Sequence, residues 1–278
     1  MSLHTSLKVG GPADIYAMPE DAADLQDLLL WLKEKSIPWL AIGRGYNLLV
    51  RDKGFRGAVV SLERFNRIER TDDTHVRAEA GADNLAVVRF AQELGLGGIG
   101  FISGIPGTVG GAIRMNAGAY GRGILEYTKC LTLLRNGTVR EYCISELDYS
   151  YRNLSLENGD IVLAALFRLE AREPGHTEEE IRKDLELRRS KHNVGFPSAG
   201  SFFKNPPGQA AWRLIDAAGL RGTSVGGAMV SEVHSNFLVN AGGATSADFL
   251  KLSESVKSEV FRTSGVTLEE EVRIVGAE

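Results

Sequence analysis

The order of helical and strand patterns along this chain predicts an α+β fold, with helices and strands mixed rather than strictly alternating. Three observations carry that reading. Leucines recur at helical spacing at positions 25, 28, 29 and 32. Strand-length apolar runs succeed one another between residues 128 and 170. An Asn136-Gly137 pair between two of those runs marks a tight antiparallel hairpin.

The leucine stripe places an amphipathic helix at 22–35, and Pro38 follows just beyond its end. Residues 39–42 and 58–62 read as short buried strands and 76–80 as a half-exposed one. Residues 84–94 read as a helix stopped by Gly95. Counting outward from the Asn136-Gly137 turn pairs residue 135 with 138 and, further out, Cys130 with Cys143. That pair falls at a non-hydrogen-bonded site, where facing Cα atoms lie about 4.5 Å apart. The two thiols are expected to face each other unlinked, as suits a reducing compartment. Strand 161–169 closes the antiparallel run, and Arg172-Glu173-Pro174-Gly175-His176 then interrupts the apolar pattern. A charged helix at 178–190, a helix at 209–218, a strand at 236–240, a helix at 247–262 and a closing strand at 271–275 complete the chain. Its 278 residues suit two domains, with the cut expected at 172/173 and the first part dividing into subdomains of about 1–62 and 63–172.

The net charge of −4 leaves no electrostatic footprint for nucleic acid or an anionic membrane. No apolar run approaches the roughly 20 residues of a bilayer span, and no basic-then-apolar leader is visible. A cytoplasmic protein is expected. Met1-Ser2-Leu3 runs abruptly into His4-Thr5-Ser6, which leaves open whether those first residues are native.

The most informative segment runs from Gly104 to Gly121. Six glycines and three alanines fall within its eighteen residues. Glycine tolerates positive φ and lets backbone N–H groups approach a ligand, and successive amides in turns make a concave anion site. The alternative is a loop rich in glycine only because it turns often. A mononucleotide P-loop is excluded because Ala112-Ile113 stands where Lys then Ser or Thr is needed. The dinucleotide fingerprint also fails, here and at Gly43-Arg44-Gly45, where Leu48 replaces the third glycine. Two glycine loops, each after a short apolar run, point to a large diphosphate cofactor gripped from two sides.

Seven motifs in order then carry a family resemblance: residues 4–13 (HTSLKVGGPA), 43–50 (GRGYNLLV), the long glycine segment, Tyr151-Arg152, 198–206 (SAGSFFKNP), 226–236 (GGAMVSEVHSN) and 268–274 (LEEEVRI). Together they span essentially the whole chain, which closely resembles the UDP-N-acetylenolpyruvoylglucosamine reductase (MurB) family, in its shorter second type. The resemblance implies an FAD-binding domain of the vanillyl-alcohol oxidase type, made of two α+β subdomains over residues 1–172, and a smaller α+β substrate domain over 173–278. It implies a cytoplasmic enzyme of peptidoglycan synthesis, with non-covalent FAD, NADPH as reductant and no metal. Its other partner is the enolpyruvyl ether of UDP-N-acetylglucosamine. A monomer is expected, with oligomers left open. NADPH reduces the flavin; hydride then passes to the vinyl carbon, charge spreads into the carboxylate, and the adjacent carbon is protonated.

Site roles follow from the motif matches. Ser201 matches the proton donor; its alternative is a plain small-residue turn. Glu271 matches a glutamate near the intermediate's carboxyl end, where burial is expected to raise its pKa. Strand alternation is expected to put Glu269 and Glu271 on one side and Glu270 on the other. Arg152 is the natural cation for the carboxylate, unless Tyr151-Arg152 is merely an exposed strand edge. The first loop gives cofactor contacts at Gly43, Arg44, Gly45, Tyr46, Asn47 and Leu48. The second gives Gly104, Ile105, Pro106, Gly107, Thr108, Gly110, Gly111, Asn116, Ala117, Gly118 and Ala119. Arg273 matches a flavin contact, and Ile161 is a looser candidate whose alternative is core packing. Tyr151, Arg152, Lys191, Lys204, Asn205 and His234 are the substrate candidates.

Three positions depart from the family pattern. Tyr46 stands where a serine is usual, Leu154 stands where a serine follows the Tyr-Arg pair, and Lys191-His192-Asn193-Val194 replaces Lys-Gln-Pro. Two rival readings remain. A covalent-flavin oxidase would offer His or Cys in the first loop, and residues 43–50 contain neither. A degenerate flavin-binding module would not keep Ser201, Arg152 and Glu271 together.

Overall fold

A computed structural model describes residues 1–119, 121–172, 178–179, 181–183, 185–186 and 194–278. Contacts divide the chain into two compact units. A terminal unit comprises Met1–Ile15, Gly45–Gly57 and Arg189–Glu278, and a central unit comprises Tyr16–Arg44 and Ala58–Arg188. This differs from the single cut at 172. Strand Leu48–Val50 pairs in parallel with Arg273–Val275, so the first glycine loop's exit folds with the end of the chain.

In the central unit, helix α1 (Ala22–Glu34) starts where the Asp21 carboxylate accepts the Ala23 and Asp24 N–H groups, both at 2.9 Å. Leu25 and Leu32 of the expected stripe are buried. Helix α2 (Asn84–Glu93) is capped by Asp83 and ends before Gly95, whose φ of +70° is the left-handed stop expected there. A five-stranded antiparallel sheet forms the body, in the order Thr138–Cys143, Thr128–Arg135, Ile161–Arg168, His75–Glu79 and Ile68–Arg70. The hairpin register is the one counted from the turn, Arg135 opposite Thr138 and Cys130 opposite Cys143. Asn136 and Gly137 have φ of +51° and +76°, as a type I′ turn demands. The thiols face each other with Sγ atoms 3.2 Å apart, unlinked, Cys130 buried and Cys143 exposed. Phe101, Ile102, Leu131, Leu133 and Phe167 form the core beneath the sheet.

The glycine segment is not all loop. Residues Val109–Arg114 within it form a short helix, α3. Gly110 sits there for close packing, because a Cβ would lie 2.8 Å from the Ala80 Cβ. The expected helix at 178–190 falls partly outside the described residues, as does the interruption at 172–176.

In the terminal unit a four-stranded antiparallel sheet runs Ser198–Ser201, Phe237–Asn240, Ala228–Val230 and Ser224–Val225. Helix α4 (Ala211–Ala217) and the long helix α5 (Ser246–Ser264) complete it. Thr245 and Asp248 form a capping box at the start of α5, and Gly265 ends it at φ +71°. The Asp52 carboxylate also accepts the Ser246 and Ala247 N–H groups, at 2.7 and 3.0 Å. Leu7, Leu49, Phe202, Phe203, Phe249 and Val256 pack as its core.

Candidate active site

In the central unit the two glycine loops meet. A Cβ on Gly43 would fall 2.3 Å from Thr108 Oγ1, so the contact requires glycine. Arg44 Nη1 reaches the Asp83 carboxylate at 2.6 Å, while Asp83 Oδ1 caps α2. The glycine segment is laced onto the turn before α2. Val109 N–H donates to the Ala82 carbonyl, Gly110 N–H to Ala80 and Asn84 N–H to Gly107. The Asn84 side chain donates to the Ile105 carbonyl at 3.0 Å. Among the described residues, the N–H groups of Gly43 and Arg44, and of Gly45, Tyr46 and Asn47 in the terminal unit, donate to no protein acceptor. Such amides are those a diphosphate takes up. Asn84 Oδ1 and Ser103 Oγ are buried without partners among the described residues. Within the central unit, the Gly43 contact that excludes a side chain, the free Gly43 and Arg44 amides and the orphaned buried polar atoms fit a bound dinucleotide. Gly43→Val is therefore expected to push the loops apart and weaken FAD binding by about tenfold or more. Titration of the flavin-stripped protein measures that loss.

The end of the glycine segment ties to the Tyr151-Arg152 pair. Asn116, at φ +40°, donates through Nδ2 to the Ser150 carbonyl at 2.9 Å and accepts the Leu125 N–H at 3.3 Å. Arg114 donates to the Leu154 carbonyl. Strands Tyr149–Ser150 and Asn153–Leu154 pair, so Tyr151 and Arg152 form the two-residue tip of a hairpin rather than a strand edge. Arg152 sits at φ +56°, with its guanidinium 5.2 Å from the Tyr151 ring centroid. Gly118 and Ala119 pair with Gly123 and Arg122, and a Cβ on Gly118 would strike the Arg122 carbonyl oxygen. Ala117 is buried, and Gly104, Ile105 and Gly107 are half-buried beside exposed Pro106. Ile161 is buried opposite Leu134 in the sheet.

In the terminal unit Ser201 ends its strand, half-buried, opposite Phe237 and directly after Gly200 at φ +77°. The next residues are pinned. Phe202 N–H donates to the Asn236 carbonyl at 2.7 Å, and the buried Asn236 amide brackets Phe203, accepting its N–H and donating to its carbonyl. The Phe202 carbonyl accepts the Glu271 N–H at 2.8 Å. Asn47 Nδ2 donates to the Glu271 carbonyl at 3.0 Å, and the Arg273 N–H to the Asn47 carbonyl. One hydrogen-bond network of backbone groups and the Asn47 side chain thus gathers Ser201, Glu271, Asn47 and Arg273. Asn236 was not picked out from the sequence, because its bonds to Phe203 join segments far apart along the chain and no local signal marks it.

The glutamate run is not a strand, since the closing strand begins at Arg273. Its side chains still diverge: Glu269 pairs with Lys204, while Glu270 meets Ser253 at 3.0 Å and Lys257 at 2.8 Å. Burial would raise the Glu270 pKa, but the Lys257 and Ser253 bonds outweigh it and hold the carboxyl below its usual range. Asn205 is exposed, and its Oδ1 accepts the Ala211 N–H at the start of α4. His234 is half-buried, with its ring 4.8 Å from that of Phe237, and burial lowers its pKa. Tyr46 is exposed, Leu48 is buried, and a Cβ on Gly45 would strike the His4 carbonyl oxygen. Lys191 lies outside the described residues. Among those described, no group of three or more side chains could hold a metal, and no helix is long and apolar enough to cross a membrane.

The chain is similar to known proteins along its length. Residues 191–275 match the model of the UDP-N-acetylenolpyruvoylglucosamine reductase C-terminal domain, and residues 13–141 match that of an FAD binding domain. A UDP-N-acetylenolpyruvoylglucosamine reductase of Pelobacter propionicus is 73% identical over 278 residues, covering 100% of this chain and 94% of that one. The reductase of Geobacter sulfurreducens is 52% identical, with 100% and 93% covered. The crystal structure of the reductase from Thermus caldophilus superposes with a TM-score of 0.85 at 33% identity, covering 98% of this chain and 96% of that one.

Proposed function

The chain belongs to the UDP-N-acetylenolpyruvoylglucosamine reductase family, and from that premise we propose that it reduces the enolpyruvyl ether of UDP-N-acetylglucosamine to the lactyl ether of UDP-N-acetylmuramate. It is an oxidoreductase of peptidoglycan synthesis, with FAD and NADPH as its cofactors. When bound, FAD carries a hydride from NADPH to the substrate's double bond. The residues that would hold it are those of the two glycine loops, with Asn116 and Arg273; Ile161 is a packing residue in this reading. In functional terms residues 1–172 serve the cofactor and 173–278 the substrate, although Gly45–Gly57 folds with the latter.

The protein's own groups manage charge and a proton. Negative charge develops on the carbon beside the substrate carboxylate. Arg152 binds that carboxylate, because a planar guanidinium can meet both oxygens. Glu271 hydrogen-bonds at the same end of the substrate, where charge grows only in the transition state. The Ser201 Oγ–H gives its proton to the carbon, which is basic enough to take one from a weak acid. Tyr151, Lys191, Lys204 and Asn205 hold the nucleotide sugar, and His234, whose pKa burial lowers, adds a hydrogen-bonding ring. The protein works as a cytoplasmic monomer.

The bond from the Glu271 N–H to the Phe202 carbonyl carries this reading, since it brings Glu271 beside the residue that follows Ser201. The test is a visible spectrum of the purified protein under anaerobic conditions. NADPH is expected to bleach the flavin, and the UDP-sugar enolpyruvate to restore the colour. A flavin that bleaches but does not recover would remove the proposed substrate.

A further inference from the structure

We propose that Cys130 and Cys143 form a thiol–disulfide exchange site, in which small-molecule disulfides oxidise the pair reversibly to an intramolecular bond. The two residues face each other across the hairpin, with Sγ atoms 3.2 Å apart. They are the chain's two cysteines, so neither has another thiol of its own chain to meet. Their exposures differ in the way such a pair needs. Cys143 is exposed at the end of an edge strand, its N–H held by the Glu146 carboxylate at 2.6 Å, while Cys130 is buried. Burial, reinforced by Cys143 and Glu141 beside it, pushes the Cys130 thiol up to about 12, so Cys130 is not the first to react.

The chemistry runs in two exchanges. The Cys143 thiolate attacks one sulfur of the small disulfide and breaks its S–S bond. The leaving thiolate takes a proton from water, and a mixed disulfide remains on Cys143. Cys130 then gives its proton to water and attacks Cys143 Sγ, and the second small thiol leaves. The protein pair loses two electrons and two protons, and the small disulfide is reduced to two thiols.

Geometry argues that the bond closes in place and opens again. By the parity of the two-residue turn the pair occupies a non-hydrogen-bonded site, where Cα atoms lie about 4.5 Å apart. That distance is inside the disulfide range of roughly 4.4–6.8 Å but at its short end, so the bond needs no backbone movement yet is compressed and reducible. The benefit to the protein is a resolving partner. An exposed thiol alone can be driven on to irreversible sulfinic and sulfonic acids, whereas Cys130 traps Cys143 in a recoverable state.

The test uses the FAD-loaded enzyme and neutral 2-hydroxyethyl disulfide, with alkylation, intact mass and peptide mapping. The expected product has lost two hydrogens, carries no alkyl group and links the Cys130 and Cys143 peptides; dithiothreitol returns two alkylatable thiols. Cys130→Ala, checked for bound flavin, is expected to accumulate the mixed disulfide on Cys143, and Cys143→Ser to leave Cys130 unreacted. A wild-type protein that stops at the mixed disulfide, stays fully alkylatable or links between chains overturns the proposal, whatever the variants do.

Discussion

Ser201→Ala is expected to leave NADPH-driven bleaching of the flavin intact and to slow the return of colour on adding the enolpyruvyl substrate by on the order of 10³-fold or more. The substitution removes one hydroxyl and leaves the scaffold alone. The neighbouring restraints are backbone bonds or belong to other side chains: the pairing with Phe237, the Phe202 bond to Asn236 and the Phe202 bond to Glu271. Stability should therefore hold, because a half-exposed serine whose hydroxyl meets no protein partner among the described residues contributes little to folding. Ser201→Cys supplies a control. A thiol is a stronger acid than an alcohol and sits at nearly the same place, so partial recovery of the second step is expected. Stopped-flow absorbance separates the two half-reactions. Unchanged turnover in Ser201→Ala would remove the hydroxyl from the mechanism.

What was legible in the sequence was mostly local. The register of Cys130 against Cys143 followed from a two-residue turn whose φ values Asn-Gly satisfies easily. Helices α1 and α2 were readable from leucine spacing and a stopping glycine, while their Asp caps were not. Non-local pairing was not readable. Nothing near Leu48 announces that it lies beside Arg273, so the division at 172 missed the return of the first glycine loop to the terminal unit. Helix α3 was hidden because glycine normally argues against helix, while Gly110 is needed for its approach to Ala80. The Tyr151-Arg152 tip was obscured because neither residue type signals a turn, and the positive φ of Arg152 is held by a hairpin that Asn116 and Arg114 anchor from the glycine segment. The motif residues were found by order and spacing. Their supporting groups, Asn236, Asp83 and Asn84, act through buried or capping bonds that become visible only once the chain is folded.

Glu271→Gln tests whether the carboxyl group acts on the transition state. The substitution leaves untouched two main-chain bonds of this residue, its N–H to the Phe202 carbonyl and its carbonyl from Asn47 Nδ2, so the amide variant should keep the same backbone position. Glutamine keeps the size and a donor but loses the acid. If Glu271 serves the charge that develops beside the substrate carboxylate, the loss falls on recovery of flavin colour, by about 10²–10³-fold, with little change in substrate affinity. Because charge appears only after hydride transfer begins, a group that binds ground and transition states alike would instead raise KM and spare kcat. A Glu271→Gln defect confined to bleaching by NADPH would place this carboxyl in the first half-reaction. Asn47→Ala sharpens the comparison. It keeps the Glu271 carboxyl but removes the side-chain bond to its backbone, so a smaller defect of the same kind, on the same half-reaction, is the result expected if position rather than mere presence of the carboxyl matters.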